Sequence, residues 1–269
     1  MTIENILIEI TNECNRKCPI CEANITKRAI KHLSEQDLCD IICTLEAQGI
    51  RSISFTGGEP LLRWEQLVNL LKFCQEKSIE TRLYTNGILL TYDRISTLSK
   101  ILNDIVISFD SQNCEINLQI RNDLLFEKIK ENIVSLSKTE INVFVISVCS
   151  AININDISEN VDFINNTNIK AWMIQQFIPS GLGELCKSKY EISKIEFENK
   201  ILELKSMINI PVLSYAYSNA DTKRVFISCD GNFVDYRTNE NLGSAMDEST
   251  IKRIINSNQY YNKKRKVDK

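Results

Sequence analysis

The sequence predicts an α/β fold built on a parallel sheet, and three observations support this. Short apolar runs, typical of strands buried on both faces, alternate with longer amphipathic stretches that are typical of helices. Six such strand–helix repeats can be counted, two short of a closed eight-stranded barrel. The chain then changes to a hairpin pattern and a final helix. We therefore expect one structural domain, with residues 1–185 as its core and residues 186–269 as a C-terminal extension.

The individual elements follow from local patterns. Ser34 and Asp37 form a variant capping box that begins the first helix, and the apolar side chains after them recur at helical spacing. Asp230-Gly231 is a typical two-residue hairpin turn. The predicted strands are 6–10, 50–55, 81–84, 105–109, 141–148 and 171–177, followed by the hairpin strands 224–229 and 232–236. The predicted helices are 35–48, 63–77, 91–101, 124–137, 156–166, 192–207 and a last one near 247–256.

Composition excludes several classes of protein. The chain has 269 residues, a net charge of −3, 43% hydrophobic and 25% charged residues, which are ordinary globular values. It has no apolar run long enough for a membrane span and no signal peptide, so we expect a cytoplasmic protein. The basic tail at 263–266 is a typical solvated end, and we expect no nucleic-acid or membrane partner.

The cysteines are the residues that best indicate the chemistry of this protein. The chain has ten, and disulfides are rare in the cytosol, so metal ligation, catalysis or burial must account for them. Cys14, Cys18 and Cys21 form a CxxxCxxC motif directly after the first predicted strand. Three thiolates on one loop can hold three corners of a cuboidal iron–sulfur cluster and leave the fourth iron open. The alternative is a zinc site in which His32 supplies the fourth ligand.

With the motifs that follow, the chain resembles the radical S-adenosylmethionine (SAM) enzyme superfamily over about residues 5–185. Thr56-Gly57-Gly58-Glu59-Pro60 resembles the GGEP motif of that family and ends the second predicted strand. The other matching strand ends are Thr85-Asn86-Gly87, Ser108-Phe109-Asp110-Ser111 and Trp172–Phe177 with Ile178-Pro179-Ser180-Gly181. The resemblance implies a partial (β/α)6 TIM-like barrel with one [4Fe-4S] cluster and SAM at its C-terminal mouth.

The resemblance also implies roles for the matching residues. In this family SAM chelates the open iron, one electron cleaves it, and a 5′-deoxyadenosyl radical takes a hydrogen atom from the substrate. Cys14, Cys18 and Cys21 would ligate the cluster, and Glu59 would accept a hydrogen bond from the methionyl ammonium. Gly57 and Gly58 would let the backbone approach the cofactor. The remaining cofactor contacts would come from Ile20, Pro60, Asn86, Ser108, Asp110, Arg121 and Ser147.

Several of these residues have a purely structural alternative. Ile20 would touch adenine or simply be buried in its loop. Arg121 would bind the SAM carboxylate or be a surface charge on a helix. Strand-end Ser and Asp side chains also serve as helix caps. Of Gln175 and Gln176, strict alternation along the sixth strand turns only one inward. No catalytic residue is predicted.

The C-terminal extension resembles a degenerate SPASM/twitch domain, which in related enzymes carries auxiliary clusters. Here the stretch from Phe226 to Glu248 contains only Cys229, so we expect a single cluster. Cys186 is the one other cysteine after the core. We expect the extension to cover the open side of the barrel and to shape the substrate pocket, and we expect no leader-peptide recognition domain before the first strand.

Two substrate classes compete. The first is a peptide or natural-product-like metabolite, as in cysteine-poor relatives of peptide-modifying members. The second is a nucleoside triphosphate, as in viperin-like dehydratases, with Lys27, Arg28, Lys223 and Arg224 available for the phosphates. A non-catalytic iron–sulfur or zinc module is a remote third hypothesis. The chemistry also implies a low-potential electron donor such as a flavodoxin or ferredoxin.

Overall fold

The computed structural model describes residues 3–22, 32–216, 224–236, 238–257 and 260. Its strands are β1 (Asn5–Thr11), β2 (Ser52–Gly57), β3 (Glu80–Thr85), β4 (Asp104–Ser108), β5 (Asn142–Cys149), β6 (Ala171–Gln176), β7 (Val212–Tyr215), β8 (Val225–Ile227), β9 (Asn232–Asp235) and β10 (Asn241–Ser244). Its helices are α1 (Glu35–Ala47), α2 (Trp64–Glu76), α3 (Tyr92–Leu98), α4 (Cys114–Arg121), α5 (Phe126–Leu136), α6 (Val161–Asn165), α7 (Lys187–Tyr190), α8 (Lys194–Met207) and α9 (Glu248–Ile255).

All the strands belong to one ten-stranded sheet with the order β10-β9-β8-β1-β2-β3-β4-β5-β6-β7. Strands β1 to β7 run parallel, and β8 joins the other side of β1, also in parallel. Strands β9 and β10 are antiparallel. No ladder joins β7 to β8 in the described part of the chain, so the predicted partial barrel is confirmed. The sheet is wider than six strands, because β7 extends it beside β6 and the strands β8, β9 and β10 extend it beside β1.

Alternation along each strand separates two faces of the sheet. The helix-facing side carries a continuous apolar core in which strand residues such as Ile8, Phe55 and Leu83 pack against the apolar sides of the helices. The opposite side, here called the inner face, has its own smaller cluster of Val106, Phe144, Ala171 and Met173. This separation decides which strand residues can reach the mouth of the barrel.

The amino-terminal end of the inner face is closed by a buried ion pair. Arg82 donates to Asp104 at 2.7 and 3.2 Å, and Asn142 donates to the other oxygen of Asp104 at 2.9 Å. The guanidinium also lies over the ring of Phe144. This buried pair closes the amino-terminal end, and the carboxyl ends of the strands remain as the functional mouth.

The local signals in the sequence are confirmed at several elements. Ser34 and Asp37 form the reciprocal capping box at the start of α1. The turn at Asp230-Gly231 joins β8 to β9, with Gly231 at φ +85°. Helix α4 was not predicted, because apolar and polar residues alternate along 114–121 instead of recurring at helical spacing, and only Asn117 and Ile120 are buried. Among the described residues, no helix has both the length and the apolar character needed to cross a membrane.

Candidate functional site at the mouth of the barrel

The cysteine loop begins at the carboxyl end of β1, and backbone hydrogen bonds hold it in place. The Leu182 and Gly183 N–H groups donate to the carbonyl oxygen of Cys21 at 3.0 and 3.3 Å. Cys18 is buried, whereas Cys14 and Cys21 are partly exposed. Burial raises the pKa of the Cys14 thiol, although the Arg16 N–H that donates to its sulfur acts in the opposite direction. Binding to a metal would offset this cost, because a metal stabilises the thiolate.

The glycines after β2 allow the second motif to dock against this loop. A Cβ atom on Gly57, which has φ +139°, would overlap the carbonyl oxygen of Thr11. A Cβ atom on Gly58 would overlap that of Glu13. The Gly58 N–H donates to the Thr11 carbonyl and the Glu59 N–H donates to the Glu13 carbonyl, each at 2.8 Å. The close approach that these glycines permit in this structure is therefore between two backbone segments of the protein, which fixes where the cysteine loop begins.

Glu59 lies at the centre of the rim and is fully buried. One carboxylate oxygen accepts from the Leu61 N–H at 3.0 Å and the Thr85 hydroxyl at 2.8 Å, and the other accepts from the Asn86 N–H at 2.8 Å. Burial raises the pKa of this carboxyl, while these donors lower it in part. The carboxylate thus joins the β2 and β3 ends, and its contact with the SAM ammonium stays a prediction.

Pro60 and Asn86 complete this side of the rim. Pro60 begins a 3₁₀ turn that Glu59 caps, where its missing N–H and fixed φ are tolerated. The Asn86 amide donates to the side-chain oxygen of Asn15 at 2.8 Å and lies 4.0 Å from the sulfur of Cys14. The structure therefore brings Asn86 to the cysteine loop, whereas Pro60 lies in the turn directly after Glu59.

The structure also joins Asp110 to Arg121. Asp110 is buried, accepts the Val148 N–H at 2.8 Å through one oxygen, and forms an ion pair with Arg121 through the other. Burial alone would lower the pKa of the Arg121 guanidinium, but Asp110 and Cys18 raise it overall. The sulfur of Cys18 also lies 3.6 Å from the carbonyl oxygen of Arg121. Arg121 is thus held beside a proposed cluster ligand.

Ile20, Ser108 and Ser147 have different environments. Ile20 is buried in a small apolar cluster with Cys18, Ile120, Phe177 and Tyr190, and Cys186 packs at its edge. Ser108 ends β4 on the inner face and is half-buried. Ser147 is fully buried on the helix-facing side, where its hydroxyl donates to the Phe109 carbonyl and accepts from the Trp172 ring N–H. The structure does not bring Ser147 to the mouth, so we leave it out of the proposed cofactor contacts.

His32 is not aimed at the cysteines. One ring nitrogen lies 3.0 Å from the Thr11 hydroxyl oxygen, and the other lies 3.2 Å from the Arg63 guanidinium. Among the described residues, no three His, Cys, Asp or Glu side chains are close enough to share one metal ion. A single zinc ion would need such a group, whereas a cube takes one thiolate at each of three corners. The donor set of three soft thiols on one anchored loop fits the cluster.

The sequence did not reveal Arg16 as part of this site. Arg16 lies between Cys14 and Cys18, its side chain is 4% exposed, and it forms a bidentate ion pair with Asp123 in the connection between α4 and α5. The pair links the cysteine loop to residues more than a hundred positions away. No local signal could have found it, because both residues resemble ordinary loop charges.

A second group was also missed in large part. Glu22, next to Cys21, accepts the Gln175 side-chain amide at 3.0 Å and the Tyr236 hydroxyl. Gln175 is the inward glutamine of β6, whereas Gln176 is buried on the other face and donates to the Ile192 carbonyl at 2.8 Å. Tyr236 packs edge-on against Phe226 of β8. The group joins the core to the C-terminal hairpin.

Of the seven cysteines outside the cysteine loop, three are buried: Cys74, Cys149 and Cys229. Burial raises the pKa of the Cys74 and Cys149 thiols to about 12, which disfavours the thiolate form of both. Cys229 is buried, and Cys186 borders the Ile20 cluster. None of the ten cysteines, all of which lie in the described part of the chain, forms a disulfide.

An α/β partial barrel with three thiols and a glycine-rich partner loop at its carboxyl-terminal mouth defines an enzyme that binds a metal cluster together with a small cofactor. The sequence profile of the radical SAM superfamily matches residues 8–164, and this chain belongs to that superfamily. It is a radical SAM enzyme, and the family uses a [4Fe-4S] cluster and SAM.

The relatives and the solved structures to which the chain is similar carry names that point to different substrates. The chain is 26% identical to the GTP 3′,8-cyclase of Petrotoga mobilis over 78% of its own length and 67% of that protein. It is 24% identical to the SAM-dependent nucleotide dehydratase of Lacinutrix mariniflava over 87% of its length and 50% of that protein. Streptococcus suis SuiB, solved with its precursor peptide SuiA, superposes with a TM-score of 0.79 at 17% identity, covering 96% of this chain and 66% of SuiB. The chain thus spans between half and two thirds of these proteins.

Proposed function

We propose that this enzyme uses one [4Fe-4S] cluster and SAM to abstract a hydrogen atom from a peptide or natural-product-like metabolite. Cys14, Cys18 and Cys21 would hold the cluster and leave one iron for the amino and carboxylate groups of SAM. When bound, the cluster supplies the electron that cleaves SAM and gives the 5′-deoxyadenosyl radical. A flavodoxin or ferredoxin would deliver that electron.

The protein's own residues position these groups. The Gly57–Pro60 turn and Asn86 would form the wall on which the methionyl part of SAM lies, because both contact the cysteine loop directly. Arg121, oriented by Asp110, would face the carboxylate from the other side. Ser108 and Ile20 would complete the pocket. Burial of Glu59 and Cys18 keeps water away from this wall.

The charge of the mouth is the observation that carries the substrate class. A triphosphate needs cationic side chains that are not already neutralised. Three arginines beside the cysteine loop in the described chain are each paired with a carboxylate: Arg16 with Asp123, Arg63 with Glu13 and Arg121 with Asp110. Glu22 adds a carboxylate on the inner side. This balance favours a neutral or cationic substrate over an anionic one.

The second candidate is nucleotide chemistry, which is the activity in the names of the two curated relatives. Of the basic residues that the sequence suggested for a triphosphate, Lys27, Arg28 and Lys223 lie outside the described residues, and Arg224 is exposed at the start of the hairpin. The basic tail also lies outside them. The capping role of residues 186–269 belongs to the same proposal, supported by the Tyr236 contact.

A substrate screen separates the two candidates. Anaerobically prepared holoenzyme is reduced, and 5′-deoxyadenosine release is measured with GTP, CTP and UTP in one set and with a short-peptide library in the other. We expect stimulation above the substrate-free rate with peptides and none with nucleotides. Stimulation by a nucleotide alone would replace the first proposal with the second.

A further inference from the structure

The group formed by Glu22, Gln175 and Tyr236 reaches across the sheet. In the strand order, six strands lie between β6, which carries Gln175, and β9, which Tyr236 directly follows. In a flat sheet with strands about 4.8 Å apart, β6 and β9 would be roughly 34 Å from each other. One glutamate side chain contacts both residues, so the sheet curls until its two sides meet around Glu22.

The same contacts place Glu22 on the inner face. Gln175 lies on the same side of β6 as Ala171 and Met173, which belong to the inner apolar cluster. Tyr236 contacts Phe226, which lies on the side of β8 opposite Val225 and Ile227 of the helix-facing core. Glu22 also follows Cys21 directly in the chain. It is therefore held between the proposed cluster loop and the interior where a substrate must lie.

The chemistry of the group indicates its ligand. An ionised carboxylate offers about four lone-pair sites, and Gln175 and Tyr236 occupy two of them. Both donors are neutral, so they orient the carboxylate without compensating its charge. No Lys or Arg forms a salt bridge with Glu22 in the described ranges of the chain. Tyr215, which pairs in register with Gln175 and is partly buried beside the inner cluster, adds an aromatic ring of the kind that favours a cation.

We propose that Glu22, oriented by Gln175 and Tyr236, is a recognition site for an ammonium or guanidinium group of the substrate. This inference rests on the proposed hydrogen-abstraction function and names its substrate class more narrowly. The site would hold the cation beside the cofactor and so fix which carbon faces it. A half-buried carboxylate binds a cation more strongly than an exposed one, because fewer water molecules compete.

Binding of a matched peptide pair tests the site. The probes are acetyl-Gly-Gly-Lys-Gly-Gly-amide and its norleucine analogue, which lacks only the charged amine. Both are titrated calorimetrically into anaerobic holoenzyme with SAM at low salt. We expect the lysine peptide to bind at least tenfold more tightly. Glu22→Gln, which keeps the shape, should remove this preference, and Tyr236→Phe should weaken it two- to threefold.

Controls keep a folding defect apart from a lost site. Iron content and substrate-free SAM cleavage report whether each variant still holds cluster and cofactor. Glu198→Gln, which changes an exposed carboxylate on α8 with 52% of its side chain accessible, should leave the lysine preference intact. If Glu22→Gln also loses iron, Tyr236→Phe and the salt dependence of lysine-peptide binding carry the test.

The outcomes also separate this site from the function on which it rests. Equal binding of the two peptides, or no binding of either, overturns the recognition site even if other peptides stimulate SAM cleavage. A lysine preference that depends on Glu22 supports the site. If that preference occurs and no peptide stimulates 5′-deoxyadenosine release, the site stands and the proposed reaction is wrong.

Discussion

Two sides of the barrel mouth are built in different ways. On the side of β1 to β4, the proposed cofactor wall consists of backbone contacts between short motifs, such as the N–H groups of Gly58 and Glu59 on the carbonyls of Thr11 and Glu13. On the other side, where β6 and the segment after β9 meet, one carboxylate, Glu22, accepts hydrogen bonds from side chains in distant parts of the chain. Backbone contacts tolerate no extra atom, whereas side-chain contacts can change with the substrate. Backbone contacts therefore suit the binding of an invariant cofactor, and side-chain contacts suit the binding of a variable substrate.

The largest expected effect is on the cofactor side. Cys18→Ala should abolish cluster assembly, because two thiolates do not hold a cube against solvent. Iron counted anaerobically should fall from about four atoms per chain to nearly none, with loss of SAM cleavage. Cys114→Ala, at an exposed cysteine on α4, is the matched control and should keep its iron. Full iron content in Cys18→Ala would contradict the ligand assignment.

The same contrast explains how far the sequence could be interpreted. The strands and most helices follow from apolar periodicity within single segments, and the cofactor motifs follow from residues at fixed spacing. Both signals are local. The strand β7, with its half-buried and exposed residues, has no clear pattern and forms because β6 offers it an edge. The position of β8 beside β1 depends on closure of the whole fold.

The site residues show the same difference between local signals and contacts that depend on the whole fold. The sequence predicted Cys14 and Glu59 from motifs, but it could not show that Asp110 pairs with Arg121 or that Ser147 faces the helices. A one-residue change in strand register moves a side chain to the other face, and register is not visible in a short apolar run. Glu22 had one weak signal, its position after Cys21. Tyr236 had none.

Gly58→Ala should give the next largest effect. The added methyl group overlaps the Glu13 carbonyl, so the second motif must move away from the cysteine loop. We expect loss of most SAM cleavage and at least tenfold weaker SAM binding, measured anaerobically on iron-replete protein. Gly49→Ala is the control, since its Cβ meets nothing within 4 Å and its φ of +91° costs only about 1 kcal/mol. Equal loss in both variants would mean that general destabilisation, rather than docking, is responsible.

Arg16→Leu should have an intermediate effect. It should lower the stability of the protein by loosening the cysteine loop, without removing a contact to the cofactor. Removing one member of a buried ion pair leaves Asp123 without its partner, which typically costs about 3 kcal/mol of unfolding free energy. Urea denaturation of the cluster-free protein measures this cost directly. The double variant Arg16→Leu/Asp123→Leu should recover much of it. Lys194→Leu, at an exposed pair on α8, should change stability by less than about 1 kcal/mol.

Glu59→Gln should give the smallest effect. It tests whether this buried carboxylate binds the SAM ammonium or only joins the ends of β2 and β3. We expect about tenfold weaker SAM binding with the cluster retained, since one charge-assisted hydrogen bond is worth about 1.5 kcal/mol. Glu65→Gln, exposed in the first turn of α2, is the control and should bind SAM normally. Unchanged SAM affinity would show that the carboxylate only holds the β2 and β3 ends together.

The pH dependence of stability distinguishes these two roles further. Burial raises the pKa of the folded Glu59 carboxyl above its unfolded value, so the folded protein binds this proton more tightly. Its contribution therefore lowers stability as the pH rises from the unfolded pKa through the folded one. Glu59→Gln should flatten the urea-denaturation stability curve in that window, whatever it does to SAM. A variant with weaker SAM binding and an unchanged curve would mean that the three N–H and O–H donors of the carboxylate balance its burial, which would contradict the raised pKa.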